Sequence, residues 1–134
     1  MKPKTREWVK KAENDHFAAI ELARGLGRFH DQVCFHCQQS AEKYLKALLE
    51  DQGQPIPKTH DLEILLGSLS SAFPSLHSVR RGLLTLVDYA VDTRYPGNQT
   101  TKRQASSALR WASRVRIVCR GLLGLKTPRK RKGA

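Results

Sequence analysis

No stretch of this chain is apolar for more than a few residues, far short of the roughly 20 that a bilayer-spanning helix needs. No contact with the membrane interior is expected. The N-terminal MKPKTREWVKK is charged but has no apolar segment behind it, which argues against a secretory signal and for a cytoplasmic protein. Cysteine is scarce. Cys34, Cys37 and Cys119 are the three in the chain, and each falls on an apolar helical face. Cys34 and Cys37 form a C-x2-C with no second pair, which is poor zinc-site spacing; reduced, buried thiols are expected. The five histidines include no H-x-x-x-H, so no metal site is expected. Glycine-rich phosphate loops and a serine elbow are also missing, and no cofactor is implied. Period-two alternation bounded by turns is absent, so no sheet is predicted.

What remains is helical. In 134 residues with a hydrophobic fraction of 40%, one domain with a real core is the default. A first helix is predicted from near Thr5 to about Arg24, with Trp8, Ala12, Ala19, Leu22, Ala23 and Leu26 on its apolar face. The second, from Asp31 to Gln52, organises the rest. Its buried arc collects Cys34, Cys37, Ala41, Tyr44, Leu45, Leu48 and Leu49, with Asp31 expected as N-cap. Gly53 and the two prolines beyond it end this helix. Thr59 or Asp61 caps a short third helix over Leu62–Leu69. A fourth is predicted from about Ser75 to Thr93, and Tyr95-Pro96-Gly97-Asn98 stops it. The last runs from near Thr101 to about Leu123. The fold class is therefore all-α: an up-down four-helix bundle with an additional short helix. It should occupy residues 1–125, followed by a basic, disordered tail over 126–134.

The polar residues on those faces are the candidates for function. Gln38 falls within the buried arc of the second helix and Glu42 at its edge, whereas Lys43, Lys46, Gln39 and His36 point away from it. A buried amide without partners costs about 1–3 kcal/mol, so other helices must bring polar groups to this seam. Asp15 lies within the first helix's apolar face; it either sits at a solvated edge or turns inward to a cation. Arg94 ends the fourth helix on its core side. Its guanidinium can cap the bundle, pair with Asp15 or Glu42, or grip phosphate oxygens bidentately. Tyr95 can pack over the bundle end or stack a base. His60, in the THD segment, can orient a turn or supply acid–base chemistry if it meets Arg94. A net charge of +12 favours polyanionic partners. Lys126, Arg129, Lys130, Arg131 and Lys132 supply five of those charges, leaving the body near +7.

Four blocks in order, WVKKAENDHFAAIELA (8–23), CFHCQQSAEKYLKALL (34–49), THDL (59–62) and YAVDTRYPG (89–97), resemble the HEPN domain, a nucleotide-binding helical domain of prokaryotes and higher eukaryotes. The resemblance spans about residues 5–124. It implies a bundle of about five helices that commonly forms a homodimer and is often paired with a minimal nucleotidyltransferase in toxin–antitoxin-like systems. Many members are metal-independent ribonucleases that use an arginine followed, after four to six residues, by a histidine. Arg94 is similar to that arginine. Gln99, Thr100 and Thr101 stand where the histidine should be, and no histidine follows His77. Neither glutamine nor threonine transfers protons near neutral pH. The chain is closer to the group carrying RYP in place of the ribonuclease motif. That group implies a nucleotide- or RNA-phosphate-binding site at Gln38, Glu42 and Lys43 with Arg94 and Tyr95, to which His60 and Asp15 are added as candidates. A ribonuclease toxin with an altered active site and a ligand-free dimerisation or interaction protein are the alternatives.

Overall fold

The computed structural model describes residues 1–93 and 95–128. Five α-helices run in order: α1 (Pro3–Arg24), α2 (His30–Asp51), α3 (Leu62–Leu69), α4 (Arg80–Asp92) and α5 (Lys102–Leu122), with a 3-10 helix, Pro74–Val79, leading directly into α4. No strand occurs among the described residues. The chain is an all-α bundle with one short extra helix, as its periodicity predicts.

α2 is the axis, packing against α1, α3, α4 and α5, whereas α1 reaches only α2 and α5. The sequence explains this centrality. Tyr44 to Leu49 is buried residue after residue, and a helix covered on all sides needs neighbours on all sides. Around it stand small residues of the flanking helices: Ala12 and Ala19 of α1, and Ala105, Ala108 and Ala112 of α5, all within 4% of full burial. Leu62, Leu65, Leu69, Leu76, Leu83 and Leu86 close the other side.

The helix ends differ from expectation in instructive ways. α1 starts at Pro3, two residues before Thr5, because proline's fixed φ and missing N–H suit the first helical position. Thr5 is buried rather than capping. The inward face of α1 is also rotated toward Val9, Asp15 and His16, leaving Leu26 72% exposed beyond the helix end. The predicted fourth helix is two pieces. Leu76 and Val79, three apart, are both buried, and a three-residue turn places such a pair on one side. Asp31 does not cap α2, whose N-cap is Phe29. Its Oδ1 instead accepts hydrogen bonds from the Thr100 backbone N–H at 2.9 Å and the Thr100 hydroxyl at 2.7 Å, pinning the α4–α5 connection to the start of α2. Asp61 caps α3 by accepting from the Glu63 N–H. Thr101 and Gln104 form a reciprocal capping box at α5. Gly53 takes φ +67° just beyond α2, the left-handed turn expected there.

Candidate functional site

The polar seam of α2 is three clusters, not one. The first centres on Glu42, 2% exposed. Its Oε1 meets Gln38 Nε2 at 3.3 Å and His60 Nδ1 at 2.9 Å, and Oε2 meets Lys46 Nζ at 3.1 Å. Gln38 Nε2 also donates to the His60 carbonyl at 2.9 Å, so α2 holds both the backbone and the ring of the residue just before the Asp61 cap of α3. A carboxylate beside an ammonium has no proton to give, so Nδ1 is the donor and the other ring nitrogen faces outward. The His60 side chain is 69% exposed although its anchor is buried.

Lys46, expected on the outer side of α2, is only 8% exposed. The outward expectation fails because this stretch of α2 is covered on all sides, with α1 lying over position 46. The ammonium reaches Glu42 one turn back and sits 5.7 Å from the Trp8 ring centroid; long stems routinely cover apolar surface this way.

The second cluster joins α1 to α2. Asp15 turns inward, and its two oxygens take His36 Nδ1 at 2.8 Å and the Lys43 ammonium. Of the two expectations for Asp15, the inward one holds. Lys43 and Asp15 therefore meet each other, on a different face of α2 from Gln38, Glu42 and His60. The predicted site residues are not one constellation: three converge at Glu42 and two at Asp15. Tyr95 is 61% exposed. Arg94 lies outside the described residues.

The third cluster escaped sequence reading. Glu13 receives Arg116 Nε at 2.6 Å and Nη2 at 2.8 Å, Arg120 Nη1 at 3.2 Å, and the Tyr44 hydroxyl. Burial pushes the Glu13 carboxyl upward, but the hydrogen bonds from Arg116 and Tyr44 and the charges of Arg116 and Arg120 outweigh it and hold it below its ordinary value. Burial, and then Glu13, push the Tyr44 hydroxyl well above the usual range. His16, beside this cluster, is held down by burial and by the Arg116 charge. The one available signal was the i,i+4 spacing of Arg116 and Arg120 on α5. Arg120 also donates through Nη2 to the Lys126 carbonyl at 2.6 Å, which ties residue 126 back to the bundle. Residues 129–134 of the expected tail lie outside the described residues.

The thiols are inert by comparison. Burial raises Cys34 to about 11 and Cys37 and Cys119 further, so all three stay protonated at neutral pH. Among the described residues no group of three or more His, Cys, Asp or Glu could hold a metal ion, and no helix is long and apolar enough to cross a membrane.

An open depression of about 310 Å³ lies between α2 and α4, lined by Asp31, Gln32, Phe35, Gln38, Gln39, Ala90 and Thr93. This volume is at the lower end of the roughly 300–1,000 Å³ usual for small-ligand sites. Gln38 belongs both to this wall and to the Glu42 cluster, and Gln39 Nε2 donates to the Gln38 side-chain oxygen Oε1 at 2.8 Å. The wall supplied by α4 ends at Thr93, the residue before Arg94. The window where a ribonuclease histidine was sought is taken up structurally: Thr100 is bound to Asp31, and Thr101 caps α5.

Comparison with known proteins agrees with this architecture. The model of the HEPN domain family matches residues 5–122. The crystal structure of an archaeal HEPN homologue superposes with a TM-score of 0.71 and 27% sequence identity, over 92% of this chain and 99% of that one. Comparison with curated proteins gives no match.

Proposed function

The chain belongs to the HEPN domain family, and from that premise we propose that it is a non-catalytic module that binds the phosphate of a nucleotide or of RNA and partners a minimal nucleotidyltransferase. One observation carries this reading. Gln38 and Gln39 line an open depression between α2 and α4 whose α4 wall ends immediately before Arg94. Gln38 is buried and its amide is engaged by Glu42, the His60 carbonyl and Gln39. Gln39 therefore supplies the free amide donor and acceptor for a base or ribose, and an arginine at that point in the chain offers the bidentate fork that phosphate oxygens accept. Glu42 and His60 fix one end of Gln38 and so orient the wall. Asp15 and Lys43 neutralise each other, and within this reading they contribute to the α1–α2 join rather than to the ligand. Tyr95, exposed beside Arg94, supplies a ring for stacking. The homodimer belongs to the same proposal, as the family's common assembly.

The test is equilibrium binding of a labelled single-stranded RNA and of mononucleotides to the full chain. Arg94→Ala is expected to weaken binding about tenfold to a hundredfold, the worth of one charge-assisted contact. Deleting residues 126–134 should leave the ligand-specific part unchanged. Binding that disappears with the tail and ignores Arg94 would overturn the reading.

A second reading has one observation in its favour. His60 Nδ1 is anchored on buried Glu42 while the rest of the ring is exposed, the arrangement that orients a general acid–base histidine. A metal-independent ribonuclease using His60 instead of the missing family histidine would cleave RNA in chelator and lose that cleavage in His60→Ala.

A further inference from the structure

The net charge of this protein is not distributed over it. Residues 1–92 carry twelve Lys and Arg and twelve Asp and Glu, whereas residues 93–134 carry twelve Lys and Arg and no acidic residue. The whole excess therefore resides in α5 and its flanks. Within α5 the arginines divide by direction. Arg116 and Arg120 turn inward and are neutralised by Glu13. Arg103, Arg110 and Arg114 face outward along one stripe, spaced seven and four residues apart and all exposed. None of these three is ion-paired among the described residues.

This stripe is not what helix stability would select. Arg110 and Arg114 are like charges at i,i+4, which costs a few tenths of a kcal/mol where a Glu–Arg pair would gain as much. Lys102 and Arg103 occupy the first turn of α5, which has no acidic residue, at the end where the helix dipole disfavours cations. Arg114 is held in place from below: its guanidinium lies 4.8 Å from the centroid of Trp111, and Trp111 packs over Gly82 so closely that an added methyl there would overlap the indole. The row is thus laid on a rigid helix with its last member braced.

We propose that the Arg103–Arg110–Arg114 face of α5 is a second, separate binding surface that tracks the phosphate backbone of a single-stranded RNA. The row spans about 16 Å along the helix axis, too long for the phosphates of one mononucleotide to engage. A continuous chain of uniform negative charge matches a continuous row of uniform positive charge. A protein partner would want an apolar centre within the patch, and the stripe offers only Ile117, at one end. The face does not depend on the α2–α4 depression or on Arg94, although Arg103 follows Arg94 by nine residues and one RNA could engage both.

The experiment is a salt titration of binding between the full chain and a fluorescent 20-nucleotide RNA, comparing the parent with Arg103→Gln/Arg110→Gln/Arg114→Gln. All three positions are exposed and glutamine is a comparable helix former, so an unchanged circular dichroism melt is the folding control. Each lost phosphate contact lowers the slope of log K against log salt by about 0.7 for single strands. The triple variant should lose about 2 from the slope, whereas Arg94→Ala loses no more than one contact's worth. A triple variant with the parental slope overturns the proposal. So does equal competition by polyglutamate of matched charge, which would mark the face as a site for acidic protein. A reduced slope in the triple variant with no effect of Arg94→Ala would keep the α5 surface and remove the Arg94 site; the converse would do the opposite.

Discussion

Two carboxylates of the bundle, Glu13 and Glu42, are both largely buried and both held by basic side chains, yet they build different things. Around Glu13 every group is turned inward: Arg116, Arg120 and Tyr44 converge from α5 and α2, and the side chains of the ion pairs are 10–17% exposed. Around Glu42 the shell is open on one side. Lys46 and Gln38 are buried, but His60 reaches out of the cluster with its side chain 69% exposed, and Gln38 also forms part of the wall between α2 and α4. The lesson is that a buried charge network is no sign of function in itself. The closed network ties α1, α2 and α5 together; the open one presents an oriented group to whatever arrives.

The sharpest way to break that comparison is to remove the centre of the closed network. Glu13→Ala strands two guanidinium groups and should cost about 3–5 kcal/mol, as uncompensated buried charges do. A urea midpoint shifted by that much, with RNA binding retained at low denaturant, is the expected outcome. A loss of binding without a loss of stability would reverse the assignment of the two clusters.

Acidification probes the closed region by a milder route. His16 has its folded pKa lowered, so it begins to favour the unfolded chain as pH falls below its ordinary value of 6.5. Glu13 is also lowered, so the stability it contributes is present above its ordinary 4.5 and is lost as pH falls through its folded value. Both signs agree. Thermal melts should weaken in two stages on acidification, the first absent in a His16 variant and the second absent in Glu13→Ala.

The smallest stability effect is expected at the open end. His60→Ala removes a mostly exposed ring but also one hydrogen bond to the buried Glu42 carboxylate, and should cost about 1–2 kcal/mol, less than Glu13→Ala, while weakening nucleotide binding in the same assay used for Arg94→Ala. A drop as large as that of Glu13→Ala would mean that His60 closes the Glu42 cluster and is not presented by it.

How much of this could be read before any coordinates is uneven for physical reasons. Helix positions were legible because the apolar period, the Gly53 turn, the prolines and a cap at Thr59 or Asp61 are local signals. Gln38 on the buried face was legible because a wheel projects direction, whereas Asp15 stood open between a solvated edge and an inward turn, which only its partners on α2 decide. The Glu13–Arg116 pair, 103 residues apart, was not: a wheel shows that a residue faces the core but not which helix meets it there. Lys46 was misplaced because a wheel cannot show that a second helix covers the face opposite the first, as α1 does here. Asp31 was misassigned because a distant threonine competed with the local N-cap role and won with two hydrogen bonds.

The sequence by itself determined an all-helical chain, the order and approximate ends of its helices, and a polar seam on α2 that requires partners. It also placed every unit of net charge after residue 92, since charge is a property of composition alone. Only the tertiary structure decided which charges cancel and which stay available. That choice depends on how helices remote in sequence are packed: α1 brings Glu13 against two arginines of α5, while the outward arginines of α5 meet no acid among the described residues. The same packing divides the seam of α2, because adjacent helical residues lie about 100° apart and so Glu42 and Lys43 answer to different neighbours.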